Sequence, residues 1–172
     1  MHTTLSSGKA FPKIDLARFG GGTMQPGHAD GWQLVVVYRG LHCPICKQYF
    51  KDLEGVLPEF KENGIEVVGI VADPEEKVRD FVSETGTSVP IGYDMSIEQM
   101  QTLGLYISDP RSPKETDRPF SEPAMFLVNP EGVLQMVDVS NAPFLRPELK
   151  PLPGRIKFVL DNDYPVRGTH GG

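Results

Sequence analysis

The chain is poor in cysteine and tryptophan, with two of the first and one of the second in 172 residues. Two cysteines cannot build a disulfide-stapled scaffold. The four histidines are scattered, so no second ligand pair stands at the spacing that the four-ligand sets of structural zinc use. No apolar run approaches the roughly 20 residues needed to cross a bilayer. The opening stretch, Met1 to Lys9, lacks the apolar core of a secretory signal. No block of lysine or arginine is present, and acids outnumber bases by 23 to 17, which argues against a nucleic-acid groove. Internal repeats are absent as well. These absences leave one soluble domain with a sizeable core, expected in the cytoplasm, free of nucleic acid and membrane. In a reducing compartment a lone cysteine pair is more often catalytic or metal-binding than structural.

Those two cysteines stand as Cys43-Pro44-Ile45-Cys46. The run before them, Leu34 to Tyr38, is apolar, β-branched and aromatic, and predicts a buried strand. After Arg39-Gly40-Leu41-His42, the residues Phe50, Leu53 and Leu57 recur at helical spacing. Cys43 therefore falls at a helix start, with Pro44 where proline costs a helix nothing. Unpaired N–H groups and the positive end of the helix dipole favour a thiolate there. Two cysteines so spaced can close a disulfide ring, and reversible thiol–disulfide chemistry is what the arrangement favours.

Along the rest of the chain, residues 1–10 read as flexible and 163–172 as a C-terminal arm, with one domain over 11–162. Strands are predicted near 12–19, 65–71 and 89–93, the second of them central and parallel to the first cysteine-proximal strand. The first helix runs from about Pro44 to Lys61, bent near Gly55 and Pro58 and stopped by Asn63-Gly64. Asp73-Pro74-Glu75-Glu76 opens a second helix with Asp73 as its capping residue, and Ser96 caps a third. Residues 106–122 form a proline- and charge-rich loop. Ala124–Val128 and Val133–Val137 flank Asn129-Pro130-Glu131-Gly132 as a hairpin, and a last helix begins near Arg146 and extends through Leu160. Alternating strand and helix imply an α/β sandwich with a mixed sheet.

From about residue 9 to 160 the chain resembles the thioredoxin-like superfamily. It is similar in particular to the peroxiredoxin-like branch grouped as alkyl hydroperoxide reductase/thiol-specific antioxidant proteins. The strand–Cys43-Pro44-Ile45-Cys46–helix unit, the β-α insertion near 89–103 and Glu122 to Gly132 carry the likeness. It implies a thioredoxin-like α/β/α sandwich with a central mixed sheet and a peroxiredoxin-type β-α insertion. It also places Pro123 where such reductases hold a cis-proline facing the active-site disulfide. The chain departs from both templates. Peroxiredoxins usually carry a proline and a threonine where it has Val36 and Gly40, and an arginine where it has Pro123. Thioredoxins commonly have a buried aspartate where it has Val37.

In this frame Cys43 is the nucleophile and the more exposed thiol, and Cys46 the resolving thiol that attacks the intermediate on Cys43. Arg39 and Arg118 are candidates to orient an oxidant, against the plainer reading of surface arginines. His42 either supports the thiolate or is an exposed loop residue. Pro123 is a substrate platform or an ordinary strand-entry proline. A copper role through the two thiols and a distant histidine is the remaining metal alternative. The expected function is reduction of peroxides or disulfides, with a thioredoxin-type or glutathione reductant, no cofactor and no metal. The resemblance also admits a homodimer. A different class, a non-enzymatic redox switch, would use the same disulfide to remodel residues 106–122 and the C-terminal arm.

Overall fold

Apolar residues at every position of Leu34–Tyr38 demand burial on both faces, and the computed structural model, which describes residues 2–172, places this strand at the heart of a sheet. In β3 (Trp32–Val37), Leu34 and Val36 enter one core, while Val35 and Val37 enter the other. Its neighbours are β4 (Ile65–Ile70), parallel with Val35 opposite Val68, and β8 (Ala124–Val128), antiparallel with Val35 opposite Phe126. Beyond β4 come β5 (Ile91–Tyr93), β1 (Leu16–Arg18) and β2 (Thr23–Met24), and beyond β8 comes β9 (Leu134–Val139). The seven strands run in the order β2-β1-β5-β4-β3-β8-β9. The sheet is mixed, as predicted.

Helices cover the two faces unequally. On one side, α1 (Pro44–Glu62), α2 (Glu75–Thr85) and α4 (Leu152–Asp161) bury Phe50, Leu53, Phe81 and Ile156 in one core with Leu34, Val36 and Tyr38. The opposite core is closed by the six-residue α3 (Ile97–Thr102) through Met100, and by Phe11 and Ile14 from the N-terminal segment. Ser96 caps α3 in a capping box with Gln99, as its sequence suggests. The α1 helix passes through Pro58 without ending and stops at Asn63-Gly64, where Gly64 has φ +73°.

Four expectations change. The last helix starts at Leu152, not near Arg146, because Pro147, Pro151 and Pro153 each lack an N–H and disfavour helical backbone before them, and three within seven residues are accommodated only where the last falls in the first turn. The segment around Arg146 is therefore irregular. Pro74, not Asp73, is the residue before α2, and Asp73 turns its carboxylate elsewhere. Within residues 106–122 a two-stranded ribbon forms from β6 (Ile107–Ser108) and β7 (Phe120–Ser121). Finally, residues 8–11 lie against the β8–β9 hairpin, Gly8 N–H donating to Leu134 O at 2.8 Å and Phe11 N–H to Gly132 O at 2.8 Å. Met1, counted with the flexible start, lies outside the described residues.

Candidate active site

Cys43 is the N-cap of α1, extended at φ −106° and ψ 102°, with Pro44 at the first helical position. Its Sγ accepts the Cys46 N–H at 3.3 Å, taking one of the donors that a helix start leaves free. Both thiols are free. Both are buried, Cys43 at 1% and Cys46 at 0% accessible, so the greater exposure expected of Cys43 amounts to almost nothing. The irregular segment before α4 folds across the helix start and closes both sulfurs off.

The two thiols are driven apart. Cys43 is held down to about 5 by a hydrogen bond from the Cys46 thiol, against the opposing pull of burial. The Arg39 guanidinium, the Cys46 N–H and the charge of Arg146 add to the lowering. Burial pushes Cys46 well above the ordinary thiol range, and its bond to Cys43 pushes it further. One thiolate and one thiol thus share a single proton between them, with the charge resting on Cys43.

Arg146 is the residue that sequence reasoning missed. Its Nη2 lies 2.9 Å from Cys46 Sγ and 3.9 Å from Cys43 Sγ. The guanidinium stacks over the Tyr49 ring at 5.1 Å, and Nε donates to Pro143 O at 2.7 Å. Tyr49 Oη donates in turn to Pro147 O at 2.6 Å, clamping both sides of Arg146. The legible signal was Pro143-Phe144-Leu145-Arg146-Pro147, a cation between two prolines that forbid a helix.

Arg39 reaches the pair from the other side. Its N–H points to Cys46 Sγ at 3.4 Å, and its guanidinium lies over Phe120 at 4.9 Å. Nε donates to Glu122 Oε2 at 2.8 Å and Nη2 to Oε1 at 3.4 Å. Ser108 Oγ donates to the same carboxylate at 2.8 Å. The β6–β7 ribbon supplies Ser108 and Phe120, and Glu122 follows directly on it, so the ribbon is what fixes Arg39.

The other candidates are placed differently. Arg118 bonds to Asp117, to Asp94 and to Ala72 O, and the structure does not bring it to the thiols. Burial, with Arg39 nearby, lowers His42 to about 4, so its ring is neutral and offers no charge to a thiolate. It packs on Phe120 at 4.5 Å, and both ring nitrogens are buried without a partner. Pro123 lies with Tyr49, Leu145 and Arg146 around a hollow of about 10 Å³, and its peptide bond is trans, not cis, as are all those described. The Asp73 carboxylate accepts the Leu41 N–H at 2.8 Å. It fills the space a side chain at Gly40 would take, Oδ2 lying 2.9 Å from that Cβ position.

A hollow of about 880 Å³, lined by Glu54, Leu57, Lys61 and Val89, sits at the far end of α1, away from this chemistry. Among the described residues no group of three or more His, Cys, Asp or Glu side chains is placed to hold a metal ion, and no helix is long and apolar enough to cross a membrane.

Residues 7–137 match the sequence profile of the AhpC/TSA family. The thiol-disulfide oxidoreductase ResA of Halalkalibacterium halodurans is 30% identical over 77 residues, 44% of either chain. A probable 1-Cys peroxiredoxin of Syntrichia ruralis is 23% identical over 113 residues, 62% of this chain and 51% of that one. The chain thus spans about half the length of these curated relatives. In fold it is similar to a peroxiredoxin-like protein from Aquifex aeolicus (TM-score 0.75, 16% identity, covering 90% of this chain and 88% of that one). It is equally similar to AhpC of Mycobacterium bovis (TM-score 0.75, 18% identity, covering 97% and 98%).

Proposed function

The chain belongs to the AhpC/TSA family, and from that premise we propose that it is a thiol-dependent oxidoreductase that reduces disulfides through a Cys43/Cys46 dithiol–disulfide cycle. One observation carries the reading: two free thiols at a helix start, with Cys43 held down to about 5 and Cys46 held up. The first is a thiolate at neutral pH and the second a stored proton donor. Cys43 attacks a substrate disulfide, one thiolate leaves, and a mixed disulfide forms on Cys43. Cys46 then attacks Cys43 Sγ, releasing the second substrate thiol and leaving the protein oxidised. A cellular thiol reductant, either one thioredoxin-type dithiol or two molecules of glutathione, returns the pair to its reduced state.

Three features support a disulfide over a peroxide. Gly40 and Pro123 stand where peroxiredoxins usually carry a threonine and an arginine. An anionic acceptor, the Asp73 carboxylate, fills the space of the missing side chain at Gly40. The hollow beside Pro123 holds at most one water, and the segment along it presents Phe144 and Leu145, 78% and 58% exposed, to solvent. Such apolar side chains suit a protein substrate or partner better than a small hydrophilic oxidant.

A second reading, peroxide reduction, is favoured by two guanidiniums, that of Arg39 bonded to Cys43 and that of Arg146 beside Cys46. The non-enzymatic switch differs from both in turning over once per signal. Cysteine replacement under continuous turnover tests the proposal. Cys43→Ser abolishes consumption of reductant, and Cys46→Ser accumulates a mixed disulfide visible by intact mass. Full activity of the Cys46→Ser protein with a monothiol reductant would remove Cys46 from the cycle, and a reaction that stops after one oxidation would favour the switch.

A further inference from the structure

We propose that Arg146 is a catalytic residue of the second step, carrying the negative charge of Cys46 as that sulfur attacks the mixed disulfide on Cys43. The inference rests on the disulfide-exchange reading above.

The geometry is asymmetric in a way the resting state does not need. The charge at rest sits on Cys43, yet Nη2 of Arg146 is 2.9 Å from Cys46 Sγ and 3.9 Å from Cys43 Sγ. Cys43 is already supported by the Cys46 thiol, by Arg39, by the Cys46 N–H and by the helix start. Cys46 is the sulfur with the harder task, because burial and the neighbouring Cys43 both oppose its ionisation. Once Cys43 is tied up in a mixed disulfide its negative charge is gone, and with it one of the two obstacles. The guanidinium then faces a single sulfur that must become anionic, from the distance at which it already sits.

That distance is fixed in advance. Tyr49 follows Cys46 by three residues on α1, so its ring, which carries the Arg146 guanidinium at 5.1 Å, lies along the same side of the helix. The bonds from Nε to Pro143 O and from Tyr49 Oη to Pro147 O hold the segment on either side. A charge prepositioned where charge develops stabilises a transition state without reorganising at the moment of reaction.

The step balances. The Cys46 proton passes to solvent, the Cys46 thiolate forms a bond to Cys43 Sγ, and the bond from Cys43 Sγ to the substrate sulfur breaks. The substrate leaves as a thiolate that takes up a proton, and two electrons have then passed from the dithiol to the substrate disulfide.

Reduced protein mixed with dithiodipyridine, an uncharged aromatic disulfide whose released thiopyridone absorbs, separates the two steps. The first equivalent released reports attack by Cys43, and the second reports attack by Cys46. In Arg146→Gln the second phase slows about 10- to 100-fold, the worth of a hydrogen bond to a charged group, while the first, read well above the Cys43 midpoint where that sulfur stays ionised without Arg146, stays within about threefold. The pH midpoint of the second phase also moves up, and a mixed disulfide accumulates by mass. Arg146→Lys recovers part of the rate, since it keeps the charge and loses the planar fork. Tyr49→Phe, which keeps the ring and loses only the bond to Pro147 O, shows a smaller slowing of the same phase, so the inference is readable even if Arg146→Gln does not fold. A first phase that slows as much as the second, or a second phase unchanged in both the Arg146→Gln and Tyr49→Phe proteins, overturns the assignment and leaves disulfide exchange standing. A native protein that releases only one equivalent overturns disulfide exchange through both thiols, and this inference with it.

Discussion

Asp73 and Leu41 are joined across the sheet by a hydrogen bond of 2.8 Å, the buried carboxylate accepting the N–H of the turn that leads into Cys43. This bond ties the exit of β4 to the start of α1, and it occupies the space above Gly40. Gly40 itself has φ +145°, a conformation L side chains rarely adopt, and a Cβ there would lie 2.9 Å from Asp73 Oδ2. Asp73→Ala leaves the Leu41 N–H without its partner and costs about 1–3 kcal/mol in urea unfolding. Gly40→Ala is destabilising as well. Because one of its penalties is the clash with Asp73, the double variant loses less than the sum of the single ones.

The reduced protein carries a thiolate at neutral pH. Alkylation of Cys43 by iodoacetamide therefore follows a midpoint near the value of about 5 to which its surroundings hold it. Cys43→Ser leaves only the slow reaction of Cys46, whose ionisation burial pushes up. Arg39→Met, which removes one of the groups holding the thiolate down, moves the midpoint upward.

Stability of the reduced protein falls on acidification, for two groups with the same sign. Cys43 has its folded value lowered from 9.0 to about 5, so the unfolded chain binds more protons between these limits and the stabilisation disappears as pH falls through 5. His42 is lowered from 6.5 to about 4, and below 6.5 the unfolded chain again takes up the extra proton. Chemical unfolding from pH 7 to 4.5 shows the decline. Forming the disulfide removes the Cys43 part and leaves that of His42.

Arg39 and Glu122 form an ion pair at 2.8 Å whose side chains are 15% and 6% accessible. Removing one partner strands the other charge in a poorly hydrated place. Glu122→Ala costs about 3–5 kcal/mol in urea unfolding, whereas Ser108→Ala, which withdraws a single neutral donor from the same carboxylate, costs about 1 kcal/mol.

Much of the frame was legible because periodicity reports burial. The continuous apolar run at Leu34–Tyr38 specified a central strand, and Phe50 and Leu53 at helical spacing specified the buried face of α1. The helix-start placement of Cys43 followed from Pro44 and the strand before it. What stayed hidden depends on contacts between residues far apart in the chain. Arg146 meets Cys46 across 100 residues, and Glu122 meets Arg39 across 83. Asp73 stands where a capping residue is expected, but its carboxylate answers a donor 32 positions away. Local propensity has no access to that competition. The near-complete burial of Cys43 was hidden for the same reason, since a segment a hundred residues downstream lies against it.

The most direct measurement is a competition for the reduced protein between hydrogen peroxide and a protein disulfide, each second-order rate compared with that of a free thiolate at the same pH. Exchange with the disulfide far faster than the free thiolate, together with a peroxide rate no greater than it, is the predicted result. A peroxide rate far above the free thiolate, with slow exchange, would contradict the account and make Arg39 and Arg146 the donors of a peroxidase.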